Sequence, residues 1–103
     1  MKQTTNEAKF ELGMVVMTGG AVEAFEISKQ TPDEILSRHS HGDWGTICEE
    51  DKRRNDEALE SGLRILSSYD LDSVNTYDLE PEKIWVITEA DRSATTILLP
   101  GEY

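Results

Sequence analysis

The last fifth of the chain, Lys83–Tyr103, constrains the fold more than any other segment. Lys83–Glu89 alternates between two sets of apolar residues, which is the period-two pattern of a β-strand. Ala90–Ala94 is polar enough to turn the chain, Thr95–Leu99 is rich in β-formers, and Pro100 ends the run. The segment therefore predicts a β-hairpin. Because an isolated hairpin is marginally stable in water, it needs further strands or a helical layer.

The residues before this hairpin are predicted to form both further strands and helices. Strands are predicted at Phe10–Met17 and Leu63–Leu71, and helices at Ala21–Lys29, from Pro32 to about Arg38, and at Ile47–Ser61. Thr31 with Glu34, and Thr46 with Glu49, match the capping box that marks a helix start, and Gly62 suits the position after a helix end. The order β-α-α-α-β-β-β predicts an α+β domain. We expect a three- to four-stranded, mainly antiparallel sheet with the helices packed on one face.

Length and composition agree with a single domain. The chain has 103 residues, of which 37% are hydrophobic and 30% charged. Residues 1–9 are polar and are expected to form a flexible tail rather than a signal peptide. No apolar run approaches the roughly 20 residues of a membrane span, and the single cysteine, Cys48, excludes an internal disulfide. We expect a cytoplasmic protein without membrane contact.

The charge is strongly acidic. The net charge is −11, and residues 31–62 and 63–103 each carry −5 of it. The only basic run, Lys52–Arg54, directly follows Glu49–Asp51. Because nucleic-acid binders need a basic surface to displace counterions, direct binding to DNA or RNA is not expected. A basic protein partner fits the charge better.

Two segments carry metal-ligand residue types. His39, His41 and Asp43 lie within five residues, with Cys48 following, and such side chains can bind zinc or a similar metal. A second pair of ligands is missing, so the competing interpretation is a helix end followed by a turn in which Trp44 fills the core. The acidic connection from Asp70 to Glu82 departs from the EF-hand pattern and is interpreted as a solvated loop. No cofactor is expected.

Candidate binding residues lie beside the aromatic anchors and in the hairpin turn. In the predicted strand, Trp85 lies on the face opposite Ile84 and Val86. If helices cover only one face, one of these sets is exposed and can bind a partner; the alternative is that both faces are covered. The candidates are Trp44, Trp85, Asp43, Glu89, Asp91 and Arg92.

Three stretches carry a resemblance: HGDWGTICEEDK (41–52), RILSSY (64–69) and KIWVITEADRSATTILLPGEY (83–103). They resemble a family of small bacterial proteins of similar length, found in chromosomes and on plasmids and other mobile elements. Members are sometimes labelled plasmid-related or associated with type I restriction–modification. The acidic connection, residues 71–82, is longer than the resemblance implies. The resemblance implies an accessory protein and carries no catalytic residues.

We therefore expect a non-enzymatic interaction protein with an acidic surface. In a sharper version, that surface imitates the charge of DNA and occupies a nucleic-acid-binding defence enzyme. The alternative is a small metal-dependent or acid–base enzyme centred on His39–Asp43, with Glu49 or Asp51 assisting. A homodimer formed through an edge strand or the Trp85 face is a third possibility.

Overall fold

Four strands form one mixed sheet in the computed structural model, which describes residues 8–74 and 81–103. The strands are β1 (Met14–Met17), β2 (Ile65–Val74), β3 (Pro81–Thr88) and β4 (Ala94–Leu98), in the spatial order β1-β4-β3-β2. β2, β3 and β4 form an antiparallel meander, as expected for strands joined by short connections. β1 lies at the edge and pairs with β4 in parallel.

The predicted α+β class and element order are confirmed. The hairpin is present as β3 and β4, with Trp85 opposite Leu98 and Thr88 opposite Thr95. The position of β1, which the sequence left open, is beside the last strand rather than in the meander. β1 is also shorter than the predicted Phe10–Met17, because pairing with β4 starts only at Met14.

Three helices precede the meander: α1 (Gly19–Ser28), α2 (Pro32–Ser40) and α3 (Glu49–Ser61). The two predicted capping boxes are wrong. Thr31 occupies the cap of α2 without a side-chain capping bond, and α3 begins after Cys48 rather than after Thr46. The reason is tertiary: the Thr46 hydroxyl donates to the carbonyl of Ser68 in β2 (3.3 Å), and is therefore not available to the helix.

The main core lies between the sheet and the helices α1 and α2. Phe25 and Ile35 from the helices pack with Tyr69, Ile84 and Val86 from the sheet, and all five are buried. The alternation predicted for the hairpin strand is confirmed, because Ile84 and Val86 face this core while Trp85 points the other way. Each fully buried isoleucine contributes roughly 2 kcal/mol through the hydrophobic effect.

A second, smaller core joins α3 to the start of β2. Trp44, Ala58 and Ile65 are buried there. α3 buries only a narrow edge, since Asn55 and Ala58 are its only buried residues. Cys48, which precedes the helix, is exposed.

The predictions for the N-terminal tail and for the acidic connection need correction. The backbone N–H of Lys9 donates to the carbonyl of Ser40 (2.7 Å), so Lys9 is anchored rather than part of a tail; residues 1–7 lie outside the described part of the chain. The acidic connection is shorter than predicted, because β2 extends to Val74 and β3 starts at Pro81. Asp70 accordingly sits in the sheet and pairs with Lys83 on β3 (2.8 Å). Residues 75–80 lie outside the described range.

Candidate interaction surface

His39, the first predicted metal ligand, is fully buried between α2 and the sheet. Its Nδ1 is hydrogen-bonded to Ser67 Oγ, and its Nε2 to Thr88 Oγ1 at 2.8 Å. Thr88 Oγ1 lies 2.7 Å from Thr95 Oγ1, and the Thr95 hydroxyl donates to the carbonyl of Leu12 (2.7 Å). Since that carbonyl can only accept, the chain of bonds runs one way. Nε2–H donates to Thr88, Thr88 donates to Thr95, and Nδ1 accepts from Ser67.

This environment keeps His39 neutral. Burial away from water and, to a smaller extent, the nearby positive charge of Arg92 lower the pKa of His39 to about 4. Both ring nitrogens are occupied by hydroxyl groups. The side chain therefore joins α2 to β2 and β3 and has no lone pair to offer an ion.

The other predicted ligands are engaged elsewhere. His41 Nδ1 is hydrogen-bonded to the carbonyl of Ser37 (2.6 Å), and Asp43 forms a salt bridge with Arg38 (2.7 Å). Cys48 is exposed at the start of α3. Over residues 8–74 and 81–103, no three His, Cys, Asp or Glu side chains are grouped to hold a metal ion. The predicted metal site at His39, His41 and Asp43 is not formed.

Trp44 is a core residue, as the competing interpretation proposed. Its side chain is 4% exposed, stacks with Phe10 and donates from Nε1 to Asp56 (3.0 Å). Asp43 beside it organises the turn, where its carboxylate accepts from the N–H of Gly45 (3.2 Å). A hydrogen bond from Arg38 holds the pKa of Asp43 below its usual range. Neither Trp44 nor Asp43 is therefore placed to anchor a partner.

Arg92 connects the hairpin turn to the end of α3. It has a φ of 61°, and its guanidinium donates to the carbonyls of Leu63 (2.7 Å) and Ala58 (3.0 Å). The Ala58 carbonyl also accepts from the N–H of Gly62 (2.9 Å), so Arg92 adds a second donor at the end of α3. Its guanidinium also lies 5.6 Å from the centre of the Phe10 ring. Its role is structural.

Glu89 and Asp91, the acidic candidates of the same turn, are exposed. The Glu89 backbone closes the turn by accepting from the N–H of Arg92 (2.9 Å), and Asp91 Oδ1 accepts from the N–H of Ser93 (3.0 Å). Hydrogen bonds from Ser93 lower the pKa of Asp91. Of the predicted binding residues, Arg92 and Trp44 share a contact with Phe10, and both serve the fold there.

Trp85 lies on the sheet face that the helices leave uncovered. Its ring meets Tyr103 edge to face at 5.7 Å, and Arg64 donates to the Tyr103 hydroxyl (2.7 Å). Trp85 is half-buried, whereas Tyr103 is 68% exposed. The Trp85 face is therefore neither fully exposed nor fully covered, because Tyr103 covers part of it.

The acidic residues are at the surface, and α3 carries an unusual set of them. None of the described Asp or Glu residues is buried. In the first half of α3 they are paired with bases, as in Lys52–Glu49 (3.5 Å) and Arg54–Glu50 (2.9 Å). In the second half, no basic residue occupies the last turn.

The second half of α3 borders an open, shallow depression of about 390 Å³. We name it the α3 depression; its lining residues are Arg53, Asp56, Glu57, Glu60 and Ser61. A carboxylate in the last turn of a helix is repelled by the negative end of the helix dipole, so Glu60 reduces the stability of α3. The sequence interpretation assigned no role to Glu57 or Glu60. Their unusual position can be read from the sequence, because they precede Gly62 near the helix C-terminus, a region where lysine or arginine is favoured.

No family model, no curated protein and no solved structure matches this chain. Among the described residues, no helix is both long and apolar enough to cross a membrane.

Proposed function

We propose that the protein is a non-enzymatic interaction protein whose α3 depression binds a positively charged surface on a protein partner. The observation that carries the proposal is the placement of Glu57 and Glu60. Both are exposed and border an open depression, and Glu60 lies in the last turn of the helix, where it opposes the helix dipole. An exposed charge that costs stability at its own position is consistent with selection for binding.

The net charge of −11 supports the same partner chemistry. Long-range attraction would accelerate encounters with a basic partner, and the contact carboxylates would select it. A nucleic-acid-binding enzyme has such a basic surface, so the protein would compete with DNA for it. A resemblance to small proteins of plasmids and mobile elements would fit this role, that of a cytoplasmic bacterial accessory that acts on a defence enzyme.

The test compares two variants of equal charge. Glu57→Lys/Glu60→Lys alters the α3 depression, and Glu23→Lys/Glu26→Lys alters exposed positions on α1 by the same four charges. Asp56 is left intact because it accepts a hydrogen bond from Trp44. Wild type and both variants are used for affinity capture from a bacterial lysate, and the bound proteins are identified by mass spectrometry.

The proposal predicts a partner that wild type and the α1 variant retain and that the α3 variant loses. That partner should be released by about 0.5 M salt, which reduces the screening length to a few ångströms, and by competing duplex DNA. Equal loss in both variants would indicate unspecific charge attraction and contradict the proposal. Equal retention would move the contact away from the α3 depression.

A further inference from the structure

The outer edge of β1 has unpaired backbone groups. The N–H of Met14 donates to the carbonyl of Ser93, and the N–H of Thr18 to that of Ile97. Because successive residues of a strand direct their N–H and C=O groups to opposite sides, Val15 and Met17 direct theirs away from β4. Within the described part of the chain, no strand, loop or side chain hydrogen-bonds to these groups.

The opposite edge of the sheet, β2, is covered. The Asn55 side chain binds both backbone groups of Leu66, donating to the carbonyl (2.7 Å) and accepting from the N–H (3.3 Å). Ser68 pairs with the Trp44–Thr46 segment, and the N–H of Asp72 donates to the Gln30 side chain (2.7 Å). The two edges therefore differ, and only β1 presents a template for another strand.

The side chains of β1 are also unprotected. Met14 is 70% exposed, Val15 41% and Val16 42%. Residues 13–18 contain no charged residue and no proline, which are the usual means of protecting an edge strand. α1 makes its main contacts with β2 and β4.

We propose that β1 pairs with β1 of a second copy of this chain, antiparallel and about a two-fold axis at Val16. Val15 would pair with Met17 of the second copy, and Met17 with its Val15, giving four backbone hydrogen bonds. The two Val16 residues would face each other as a non-hydrogen-bonded pair, which brings their side chains into contact. The dimer would then have one continuous eight-stranded sheet.

Charge restricts where a second copy can bind, and β1 is a place that it permits. Two molecules that each carry −11 repel one another, so they can meet only where carboxylates are scarce. Residues 1–30 carry only −1, and β1 is neutral. The pairing also places each exposed apolar residue of β1 against an equally apolar strand. The inference is independent of the α3 depression and has the opposite salt dependence, because salt screens the repulsion between copies and strengthens the dimer.

The first measurement is sedimentation velocity from about 1 µM to about 1 mM, a range that covers weak self-association. Wild type should pass from monomer to dimer within it, at lower concentration in high salt. Val15→Pro removes an outward N–H without breaking the pairing with β4, and should shift the midpoint at least about tenfold upward. Val15→Thr keeps the N–H and should dimerise nearly as wild type. A wild-type monomer throughout, or unchanged dimerisation of Val15→Pro, would overturn the proposal.

A cross-linking experiment decides the register and does not depend on the folding of the proline variant. In a Cys48→Ser background, Val16→Cys places two thiols across the two-fold axis, where facing Cα atoms lie about 4.5 Å apart and a disulfide can form. Val15→Cys places them diagonally, at about 7 Å or more, which is too far. Oxidation should give a disulfide dimer of the Val16→Cys variant at least about tenfold faster. Equal rates, or no disulfide at either position, would overturn the proposed pairing.

Discussion

At the residue scale, two side chains hold together elements that are distant in the sequence. His39 connects α2 to Ser67 and Thr88 in the sheet, and Arg92 connects the hairpin turn to the end of α3. Both lie in segments that the sequence marked as candidate sites. The chemistry was noticed because charged and imidazole groups stand out in a sequence. The hydrogen-bond partners of these two side chains could not be predicted, because the hydroxyls and backbone carbonyls involved are remote in the sequence and have no recognisable pattern.

The buried His39 should make folding stability depend on pH. Its pKa is about 4 in the folded protein and about 6.5 when exposed, so between these values the unfolded chain binds the proton and the folded one does not. Stability is therefore full above about pH 6.5 and falls by roughly 3 kcal/mol as the pH decreases to about 4. Urea unfolding across this window measures the slope. His39→Gln should be less stable at pH 7 but have a shallower slope; an equal slope would show that other groups cause it.

Loss of the Arg92 guanidinium should destabilise the fold. Arg92→Gly removes its hydrogen bonds to Ala58 and Leu63, while glycine accepts the φ of 61° without strain. We expect a loss of about 2 kcal/mol in the free energy of unfolding. Arg53→Ala, at an exposed position on α3, is the control and should change stability by less than about 0.5 kcal/mol. Similar effects for both would contradict the structural role of Arg92.

At the element scale, the segment between α2 and α3 is held against the outer edge of β2. Gly45 forms an isolated parallel bridge with Ser68, and Thr46 donates to the same residue. This contact explains why the capping box at Thr46 fails and α3 starts later. Local spacing predicted the existence and type of each element correctly. It could not predict boundaries that are decided by contacts with a strand some twenty residues away.

Gly45 and Gly62 provide a matched test of that contact. Both have positive φ, of 78° and 76°. A Cβ at Gly45 would lie 1.8 Å from the Ser68 carbonyl oxygen, whereas nothing lies within 4 Å of one at Gly62. Gly62→Ala should cost about 1 kcal/mol for the backbone conformation alone, and Gly45→Ala at least about 2 kcal/mol more. Thermal or urea unfolding of both variants measures the difference, and equal costs would mean that the contact is dispensable.

At the scale of the whole molecule, the fold and the charge follow different requirements. The alternation in β3 predicted which residues face the core, and the helices cover that face as expected. The site was predicted less well, because Trp44 and Asp43 serve the fold. The α3 depression and the β1 edge depend on what the rest of the chain leaves uncovered, and one sequence does not reveal that.

The acidic surface should limit stability, most clearly at the end of α3. Glu57→Lys/Glu60→Lys reduces self-repulsion and reverses the unfavourable charge of Glu60 in the last turn of the helix. We expect about 1 kcal/mol of added stability in low salt, and a smaller gain in high salt. Unfolding at two salt concentrations tests this. A destabilised variant would mean that these carboxylates stabilise the fold and would weaken the case for a binding role.

The position of β4 has a consequence for how the protein is made. It is the last strand to be synthesised, yet it lies inside the sheet, between β1 and β3. Met14 of β1 pairs with Ala94 of β4, which is synthesised eighty residues later. A nascent chain that ends before Ala94 therefore has an unpaired β1 and an incomplete core, and contacts between remote segments are slow to form. The sheet should therefore form only after Leu98 has left the ribosome, and a chain that ends before Ala94 should be degraded by proteases.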